Sequence, residues 1–266
     1  MVSPGTRPLV IKVGGSTLGA EDTTLADLAW LGHQPVRLVL VHGGGPLISD
    51  WQRRLGLEPR FVRGLRVTDG PSLEVAMAVL AGLVNKQLVA SLQALGVKAV
   101  GLAGVDGGLI RASPADPELG LVGRVQGIDL GLLDRLLGAG YLPVVAPIGL
   151  YLEPTAGGFR PVCLNLNADT VAGELAAALG ADLVLLTDTP GVLDGAGRTV
   201  PELTPAQAMA LVEGGVASGG MIPKVGACLR AVAAGGTAWV VDGAVPGSLR
   251  RLFSGEGVAG TVFRSG

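Results

Sequence analysis

Short apolar runs that end at glycines are the feature that most restricts how this chain can fold. The first run, residues 9–15, has the sequence LVIKVGG, and its apolar half is typical of a strand buried on both faces in a parallel sheet. The two glycines end the strand and let the backbone pass close to a ligand. Lys12 stands near the end of this run, where a buried cation is costly unless an anion meets it. Lys12 is therefore either solvated at a sheet edge or placed to meet a phosphate.

A second apolar run, residues 36–41, leads into HGGGP at 42–46 and then into a helical pattern at 47–55. Proline suits the first turn of a helix, where no N–H is lost. Three glycines before a helix leave backbone N–H groups pointing at one place, and the helix dipole adds positive potential there. We therefore predict an anion site at this turn. The turn does not match GxGxxG, and the chain contains no GxxxxGK[ST].

Strands and helices alternate along the whole chain, which predicts an α/β fold: a three-layer αβα sandwich around a mainly parallel central sheet. Residues 113–127 contain two prolines and are expected to form a loop. We treat residues 1–266 as a single domain with an N-terminal lobe of about 1–180 and a C-terminal lobe of about 181–266. Further strands are predicted at 98–102, 109–112, 142–147, 183–186 and 238–241, and further helices within 19–32 and at 71–96, 130–139, 170–179, 204–213 and 249–253. Residues 218–224 are expected to open another helix that runs to about residue 234.

Composition narrows the possible functions. Hydrophobic residues are 48% and charged residues 16%, which favours a large core over disorder. A net charge of −2 gives no reason to expect nucleic acid or an anionic membrane as a partner. The apolar stretch 141–152 is too short to span a bilayer, and the N-terminus lacks the features of a signal peptide, so we expect a cytoplasmic protein. Cys163 and Cys228 lack metal-ligand spacing and are expected to be buried, reduced thiols.

The few lysines stand out among the basic residues, which comprise sixteen arginines and only Lys12, Lys86, Lys98 and Lys224. Because arginine is used wherever any cation suffices, a retained lysine can mark a place that needs a compact ammonium. Lys12 and Lys224 both adjoin glycine turns, at 14–15 and 219–220. Ligands of open α/β sheets bind at the carboxyl ends of the strands, so we expect these turns and 43–45 to face one site.

Two polar segments exceed structural need. In NLNAD, Asn165, Asn167 and Asp169 precede an alanine-rich helix that one N-cap would satisfy. Residues 59–69 are expected to form a loop or short hairpin, in which Arg66, between two apolar residues, is the arginine best suited to a specific partner. No metal-ligand cluster and no Ser/His/Asp order is present in the sequence, so metal-assisted or triad hydrolysis is unsupported and no metal ligand is predicted.

Together these motifs resemble the amino acid kinase family, and within it the branch that acts on N-acetyl-L-glutamate, over essentially the whole chain. The matching segments stand in the family's order and spacing: KVGG at 12–15, HGGGP at 42–46, GLRVTD at 64–69, AGLVNK at 81–86, NLNAD at 165–169, LLTDTPGVL at 185–193 and SGGMIPK at 218–224. Each motif is weak alone, and the set is a strong signal. The resemblance implies phosphorylation of the γ-carboxylate of N-acetyl-L-glutamate by MgATP, the second step of arginine synthesis by the acetylated route.

The resemblance also implies a catalytic group. Lys12 and Lys224 would neutralise charge on the transferring phosphoryl group, and Asp169 would hold both ammonium groups in place. The chemistry agrees, because a carboxylate nucleophile with a reference pKa of about 4.3 is already ionised and needs no general base. Phosphoryl transfer instead needs positioning and nearby cations. Mg²⁺ is expected to be carried by the ATP phosphates and water, so we assign it no protein ligand.

The two substrates are assigned to the two lobes, acetylglutamate to the N-terminal lobe and ATP to the C-terminal lobe. Gly44 and Gly45 would offer amides to the substrate and the transferring phosphate. Arg66 would grip the α-carboxylate of the substrate in a bidentate manner, and Asn165 would hold the same end. The nucleotide site would be lined by Gly14, Asp188, Thr189, Gly191, Val192, Leu193, Ser218, Gly219, Gly220 and Met221.

Alternatives remain. One is a kinase of glutamate or aminoadipate attached to a carrier protein, as in some lysine pathways, although HGGGP and GLRVTD favour the free acetylated amino acid. Another is a non-catalytic, ligand-sensing relative, which would not need a second lysine. A kinase of uridine monophosphate or carbamate is disfavoured by GLRVTD with NLNAD.

Assembly is inferred in the same way. We expect a homodimer, in which the apolar helix at 71–96 either contributes to the interface or belongs to the core. Little chain precedes Lys12, so arginine feedback inhibition and the hexamer that accompanies it in other members are not expected. The lysine that the family often has near Val105 is missing, which puts in doubt a substrate contact from that turn.

Overall fold

The computed structural model describes residues 7–14 and 23–266. Gly15, the second glycine of the first predicted turn, lies outside the described residues. The strands are β1 Leu9–Val13, β2 Leu38–His42, β3 Phe61–Val62, β4 Leu65–Arg66, β5 Ala99–Ala103, β6 Ile110–Pro114, β7 Gly123–Ile128, β8 Leu142–Ala146, β9 Ile148–Thr155, β10 Gly158–Asn165, β11 Asp182–Thr187, β12 Glu202–Leu203, β13 Ala238–Asp242 and β14 Gly260–Phe263. The α-helices are α1 Thr24–Gly32, α2 Gly45–Arg54, α3 Gly70–Met77, α4 Asn85–Ala94, α5 Gly131–Gly138, α6 Ala168–Leu179, α7 Pro205–Glu213, α8 Met221–Ala233 and α9 Ser248–Ser254.

The central sheet confirms the mainly parallel arrangement expected from the alternating pattern. In the described part of the chain it has eight strands in the order β12-β14-β13-β11-β1-β2-β8-β5. Among these pairings only β13 with β14 is antiparallel. β1 lies in the interior, between β11 and β2. Its carboxyl end therefore meets those of β2 and β11 at one edge of the sheet.

The two faces of the sheet support separate apolar clusters, which confirms the three-layer sandwich. Successive side chains of a strand point to opposite faces. Leu9, Ile11 and Val13 belong to the cluster formed with α1, α2, α4 and α9. Val10 belongs to the other cluster, formed with α5, α6 and α8. By the same alternation Lys12 projects toward the layer that contains α6 and α8.

A second, smaller sheet corrects one prediction. Residues 113–127, expected to be a loop, include the end of β6, a 3-10 turn and most of β7. The hairpin of β9 and β10 was also not predicted. These strands form a sheet in the order β10-β9-β6-β7. The strand β7 is partly solvated, and its sequence, GRVQGI, lacks the apolar run that predicts a buried strand. Within β10, Cys163 is partly exposed rather than buried, whereas Cys228 is buried as expected.

A long helical segment follows the β3–β4 hairpin. α3 and α4 are joined by a π-helical segment, Ala78–Val84, into one run from Gly70 to Ala94. By length and composition this run could cross a membrane, a test that core helices of soluble proteins also pass. Leu80 and Leu88 of this run pack into the core beneath the central sheet, so its apolar character serves packing on at least one side.

Close contact between α6 and α8 depends on a glycine. A Cβ atom at Gly173 would lie 2.6 Å from the Cα atom of Ala227, closer than side-chain atoms approach a neighbouring backbone. We therefore expect Gly173→Ala to lower the free energy of unfolding by about 1–3 kcal/mol through overpacking. In contrast, Gly226→Ala on the exposed side of α8 meets no atom within 4 Å and should stabilise by about 0.5–1 kcal/mol. Urea unfolding of both variants checks this, and equal effects would contradict the close-packing explanation.

Candidate functional site

A buried carboxylate between two lysines lies at the carboxyl edge of the sheet. Asp169, in the first turn of α6, has its Oδ1 atom 2.8 Å from Lys12 Nζ and its Oδ2 atom 3.0 Å from Lys224 Nζ. Lys12 lies within a strand of the central sheet and is only 7% exposed. The interpretation in which Lys12 is solvated at a sheet edge is therefore wrong. Lys224 comes from the first turns of α8, so three elements far apart in sequence meet here.

The electrostatics of this group favour a bound anion. Burial alone would raise the pKa of Asp169, but the positive charges of Lys12 and Lys224 and their hydrogen bonds outweigh it and hold the pKa below its usual value. Asp169 is therefore ionised at neutral pH. One carboxylate and two ammonium groups leave a formal charge of +1 in a poorly solvated place. Such an excess charge is stabilised when an anion binds beside it.

The glycine turn after β2 supplies donors to the same place. Gly44 is the N-cap of α2, and Gly45 is its first residue. Among the described residues, neither amide donates to a protein acceptor. A Cβ atom at Gly44 would lie 2.8 Å from Leu80 Cδ2, so a larger residue at this turn would require the Leu80 side chain to shift. Free amides at a helix N-terminus are the feature on which the prediction of an anion site at this turn rests.

Arg66 is held by neutral groups. It ends β4, and its guanidinium donates to Gln52 Oε1, to the carbonyl oxygen of Gly45 and to Ser49 Oγ, the last two at 2.8 Å. Phe61 of the paired strand covers one face of the guanidinium, 4.8 Å from Cζ to the ring centroid. Burial and, to a smaller extent, Arg53 lower the pKa of Arg66 from its ordinary value. No carboxylate in the described part of the chain pairs with Arg66, so its charge is available to a ligand.

The three polar residues of NLNAD have different partners, and only one of them caps the helix. Asn167 is the N-cap of α6, and its side chain accepts a hydrogen bond from the backbone N–H of Thr170. Asp169 serves the lysines. Asn165, the last residue of β10, donates to Thr68 Oγ1 at 3.2 Å, and Thr68 in turn donates to the carbonyl oxygen of Arg66. Thr68, which is fully buried, was not predicted as part of the site and links the two predicted substrate-binding residues.

One cavity collects the predicted catalytic and substrate-binding residues other than Lys224. Its lining includes Lys12, Asp169, Gly44, Gly45, Arg66 and Asn165. Its volume is about 220 Å³, below the range of about 300–1,000 Å³ that is common for drug-sized ligands. With Lys12 and Arg66 both in its lining, the cavity suits a small anionic metabolite.

The residues predicted to line the nucleotide site are spread over three turns at the same edge of the sheet. Gly14 follows β1, the residues from Asp188 to Leu193 follow β11, and Ser218, Gly219 and Gly220 precede α8. The 218–220 turn is exposed, and Gly220 is the N-cap of the helix that Met221 begins and that carries Lys224. Val192 differs from the others, because its side chain is fully buried in the core and its backbone N–H is bonded to Thr261.

A buried histidine supports the glycine turn. His42 ends β2, its Nδ1 atom lies 3.1 Å from the carbonyl oxygen of Gly43, and its Nε2 atom lies 3.1 Å from Asn85 Nδ2. Burial lowers the pKa of His42 to about 4, Lys86 adds to this effect, and the hydrogen bond to Gly43 opposes it. The imidazole is therefore neutral at pH 7. Asn85, from the AGLVNK motif, donates to Nε2, which leaves the proton on Nδ1 to be donated to Gly43.

The structure is thus an α/β protein in which two lysines that share Asp169 and a helix N-terminus lie at the carboxyl edge of a mainly parallel sheet. The chain belongs to the amino acid kinase family, whose sequence model matches residues 7–242. This confirms the family to which the sequence motifs pointed. In the described residues, no group of three or more His, Cys, Asp or Glu side chains is arranged to hold a metal ion.

Curated relatives are similar in sequence to this chain over nearly its whole length. It is 44% identical to an acetylglutamate kinase of Dehalococcoides mccartyi over 255 residues, which is 96% of this chain and 93% of the relative. It is 42% identical to an acetylglutamate kinase of Thermosynechococcus vestitus, with coverage of 97% and 89%.

Solved structures agree on the fold. The protein smu.665 of Streptococcus mutans is similar with a TM-score of 0.81 and 28% identity, covering 97% of this chain and 98% of its own. An N-acetylglutamate synthase of Neisseria gonorrhoeae, complexed with coenzyme A and N-acetyl-glutamate, is similar with a TM-score of 0.82 and 27% identity, covering 98% of this chain and 60% of its own. A carbamate kinase of Giardia lamblia, at 16% identity and a TM-score of 0.73, shares the fold alone.

The buried histidine predicts a pH dependence of stability. The unfolded chain protonates His42 below about pH 6.5, while the folded protein does so only near pH 4. As the pH falls through this window the unfolded state binds more protons, so the free energy of unfolding falls by about 1.4 kcal/mol per pH unit from this group. Between pH 7 and pH 5, we expect the free energy of unfolding of His42→Gln to fall by about 2 kcal/mol less than that of the natural chain.

Urea unfolding at several pH values measures this difference. The matched control is His33→Gln, which alters the exposed histidine of the chain and should keep the steep dependence of the natural protein. Parallel curves for the natural chain and His42→Gln would contradict a neutral, buried His42.

Proposed function

We propose that this protein transfers the γ-phosphoryl group of MgATP to the γ-carboxylate of N-acetyl-L-glutamate, the second step of arginine synthesis by the acetylated route. The observation that carries the proposal is the pairing of Asp169 with Lys12 and Lys224 beside a small cavity whose lining includes Lys12, Asp169 and Arg66. The relatives named acetylglutamate kinase support the same reaction. We therefore treat the site residues below as parts of one active site.

The acceptor end of the cavity is proposed to position a dicarboxylic acid. Arg66 offers a cation that no described carboxylate neutralises. The Phe61 ring and the neutral hydrogen-bond acceptors of Arg66 fix the plane of the guanidinium. A guanidinium in this setting suits an α-carboxylate. Asn165, tied to the Arg66 segment through Thr68, would contact the same end of the substrate. The γ-carboxylate then lies toward the lysines.

The transfer itself is proposed to need no proton acceptor. The γ-carboxylate is ionised near pH 7 and attacks the γ-phosphorus of ATP, and the bond from that phosphorus to the β,γ-bridging oxygen breaks to release ADP. Lys12, Lys224 and the amides of Gly44 and Gly45 surround the place where the phosphoryl oxygens would lie. Asp169 keeps both ammonium groups aimed at one point. Mg²⁺, brought by the nucleotide phosphates, supplies further positive charge.

The nucleotide is proposed to bind on the C-terminal side of the site. Gly14, the turn from Asp188 to Leu193 and the turn from Ser218 to Met221 all follow or precede elements that end at this edge of the sheet. Val192 would contribute through its position in the turn, because its side chain lies in the core. We divide the chain into lobes near residue 180, where Gly180 ends α6 in a left-handed conformation.

Assembly and location complete the proposal. We propose a homodimer that uses the helical segment Gly70–Ala94, whose π-helical part exposes Ala78 and Gly82. We propose a cytoplasmic location, since Cys163 and Cys228 are unpaired thiols. A carrier-linked glutamate or aminoadipate kinase is less favoured, because the relatives at 42–44% identity are named acetylglutamate kinases.

A coupled assay of ADP release tests the proposal. We expect ATP-dependent turnover with N-acetyl-L-glutamate and little with glutamate, aspartate or a carrier-linked acid. Lys224→Ala should lower kcat by about 100-fold or more, equivalent to about 2.7 kcal/mol of transition-state stabilisation, while ATP binding weakens much less. No turnover of N-acetyl-L-glutamate would overturn the proposed function, and equal losses of kcat and ATP affinity would overturn the role of Lys224. The matched control is Lys98→Ala, an exposed lysine outside this cavity.

A further inference from the structure

Behind Arg66 lies a buried glutamine that the sequence motifs do not include. Gln52, on α2, is 1% exposed. Arg66 Nη1 donates to its Oε1 atom, and its Nε2 atom donates to Ser72 Oγ at 2.9 Å. Both ends of this amide are therefore occupied inside the protein. Because arginine has no acceptor, the oxygen of Gln52 must face Arg66 and its nitrogen must face Ser72.

The chain of hydrogen bonds continues to an anion. Ser72 lies in the first turn of α3, whose N-cap is Asp69. The backbone N–H of Ser72 donates to Asp69 Oδ1 at 2.9 Å. Hydrogen bonds from the Ser72 hydroxyl, which has the larger effect, and from this N–H lower the pKa of Asp69. The order from cation to anion is thus Arg66, Gln52, Ser72 and Asp69, with every hydrogen bond donated in the same direction. Hydrogen bonds aligned in this way polarise one another.

This arrangement resolves a conflict between holding Arg66 and leaving its charge available. A carboxylate at position 52 would fix the guanidinium but would compete with the carboxylate of a substrate. A neutral amide fixes it without neutralising it, and the balancing charge of Asp69 is kept two hydrogen-bonded groups away. The other hydrogen-bond acceptors of the guanidinium, Ser49 Oγ and the carbonyl oxygen of Gly45, are also neutral.

We propose that Gln52 is a positioning residue that sets the orientation and the available charge of Arg66, and thereby determines the affinity and selectivity for a substrate carboxylate. This inference rests on the proposed function, because it assigns the substrate α-carboxylate to Arg66. Gln52 itself touches no reacting atom. Its effect is therefore on substrate binding and not on the transfer step.

Two substitutions separate position from charge. Gln52→Met keeps the size of the side chain and removes the acceptor, and should raise the KM for N-acetyl-L-glutamate about 3- to 10-fold, the range expected for the net loss of one ordinary hydrogen bond. Gln52→Glu places a carboxylate against Arg66 and should raise this KM at least 10-fold. In both variants kcat and the KM for ATP should change less than about threefold, because the lysine end of the cavity is untouched.

Selectivity provides a measurement that simple destabilisation would not move. The ratio of kcat/KM for N-acetyl-L-glutamate to that for its α-carboxamide analogue reports the use of the α-carboxylate. Gln52→Glu should lower this ratio at least 10-fold. The matched control is Gln126→Glu, since Gln126 also donates to a serine hydroxyl, Ser113 at 2.8 Å, but is exposed on β7.

The outcomes are distinguishable. If the natural chain turns over N-acetyl-L-glutamate and Gln52→Glu leaves both KM and the selectivity ratio within twofold, the role of Gln52 is overturned and the proposed function stands. If the natural chain neither binds nor turns over this acid, both fall. Should a Gln52 variant fail to fold, Ser72→Ala interrupts the next link, and we expect a two- to fivefold rise in KM, whereas an unchanged KM would overturn the proposal.

Discussion

Asp169 is the group on which the rest of the site depends. It lies in the protein interior, where a lone carboxylate would be strongly disfavoured, and two lysines make its charge tolerable. The reverse also holds, because burying the Lys12 cation within a central strand would be costly without an anion beside it. The two cations exceed the one anion, so the group stays incomplete until a further anion arrives. A phosphoryl group in transfer has this character.

The fold delivers these charges to one place through ordinary features of parallel sheets. β1 passes through the middle of the sheet, so Lys12 near its carboxyl end lies at the edge where ligands bind. α2, α6 and α8 begin at this edge, and their N-termini add positive potential. The near-contact of Gly173 with Ala227 lets α6 and α8 approach closely enough for Asp169 to meet Lys224. The geometry of the proposed catalytic group is thereby coupled to core packing.

Much of this organisation could be predicted from the sequence. Apolar runs that end at glycines indicated the central sheet, and the excess of polar residues in NLNAD over one N-cap indicated that some of them had another task. Other parts could not be predicted. β7 is partly solvated and therefore lacks a continuous apolar run. The strands β9 and β10 pair in an antiparallel hairpin, so they lack the apolar run followed by glycines that indicated the parallel strands. Gln52 lies in an amphipathic helix, where a polar residue normally indicates the solvated side, and only tertiary structure shows it buried against Arg66.

Replacement of Asp169 by asparagine is the measurement that tests the central claim most directly. The amide keeps the size of the side chain but removes the charge that aligns Lys12 and Lys224. We predict that kcat for N-acetyl-L-glutamate falls at least 100-fold, while the calorimetric Kd for this substrate changes less than threefold in a variant that remains folded. A kcat within threefold of the natural chain, or a loss of substrate affinity as large as the loss of kcat, would contradict the proposed role of Asp169.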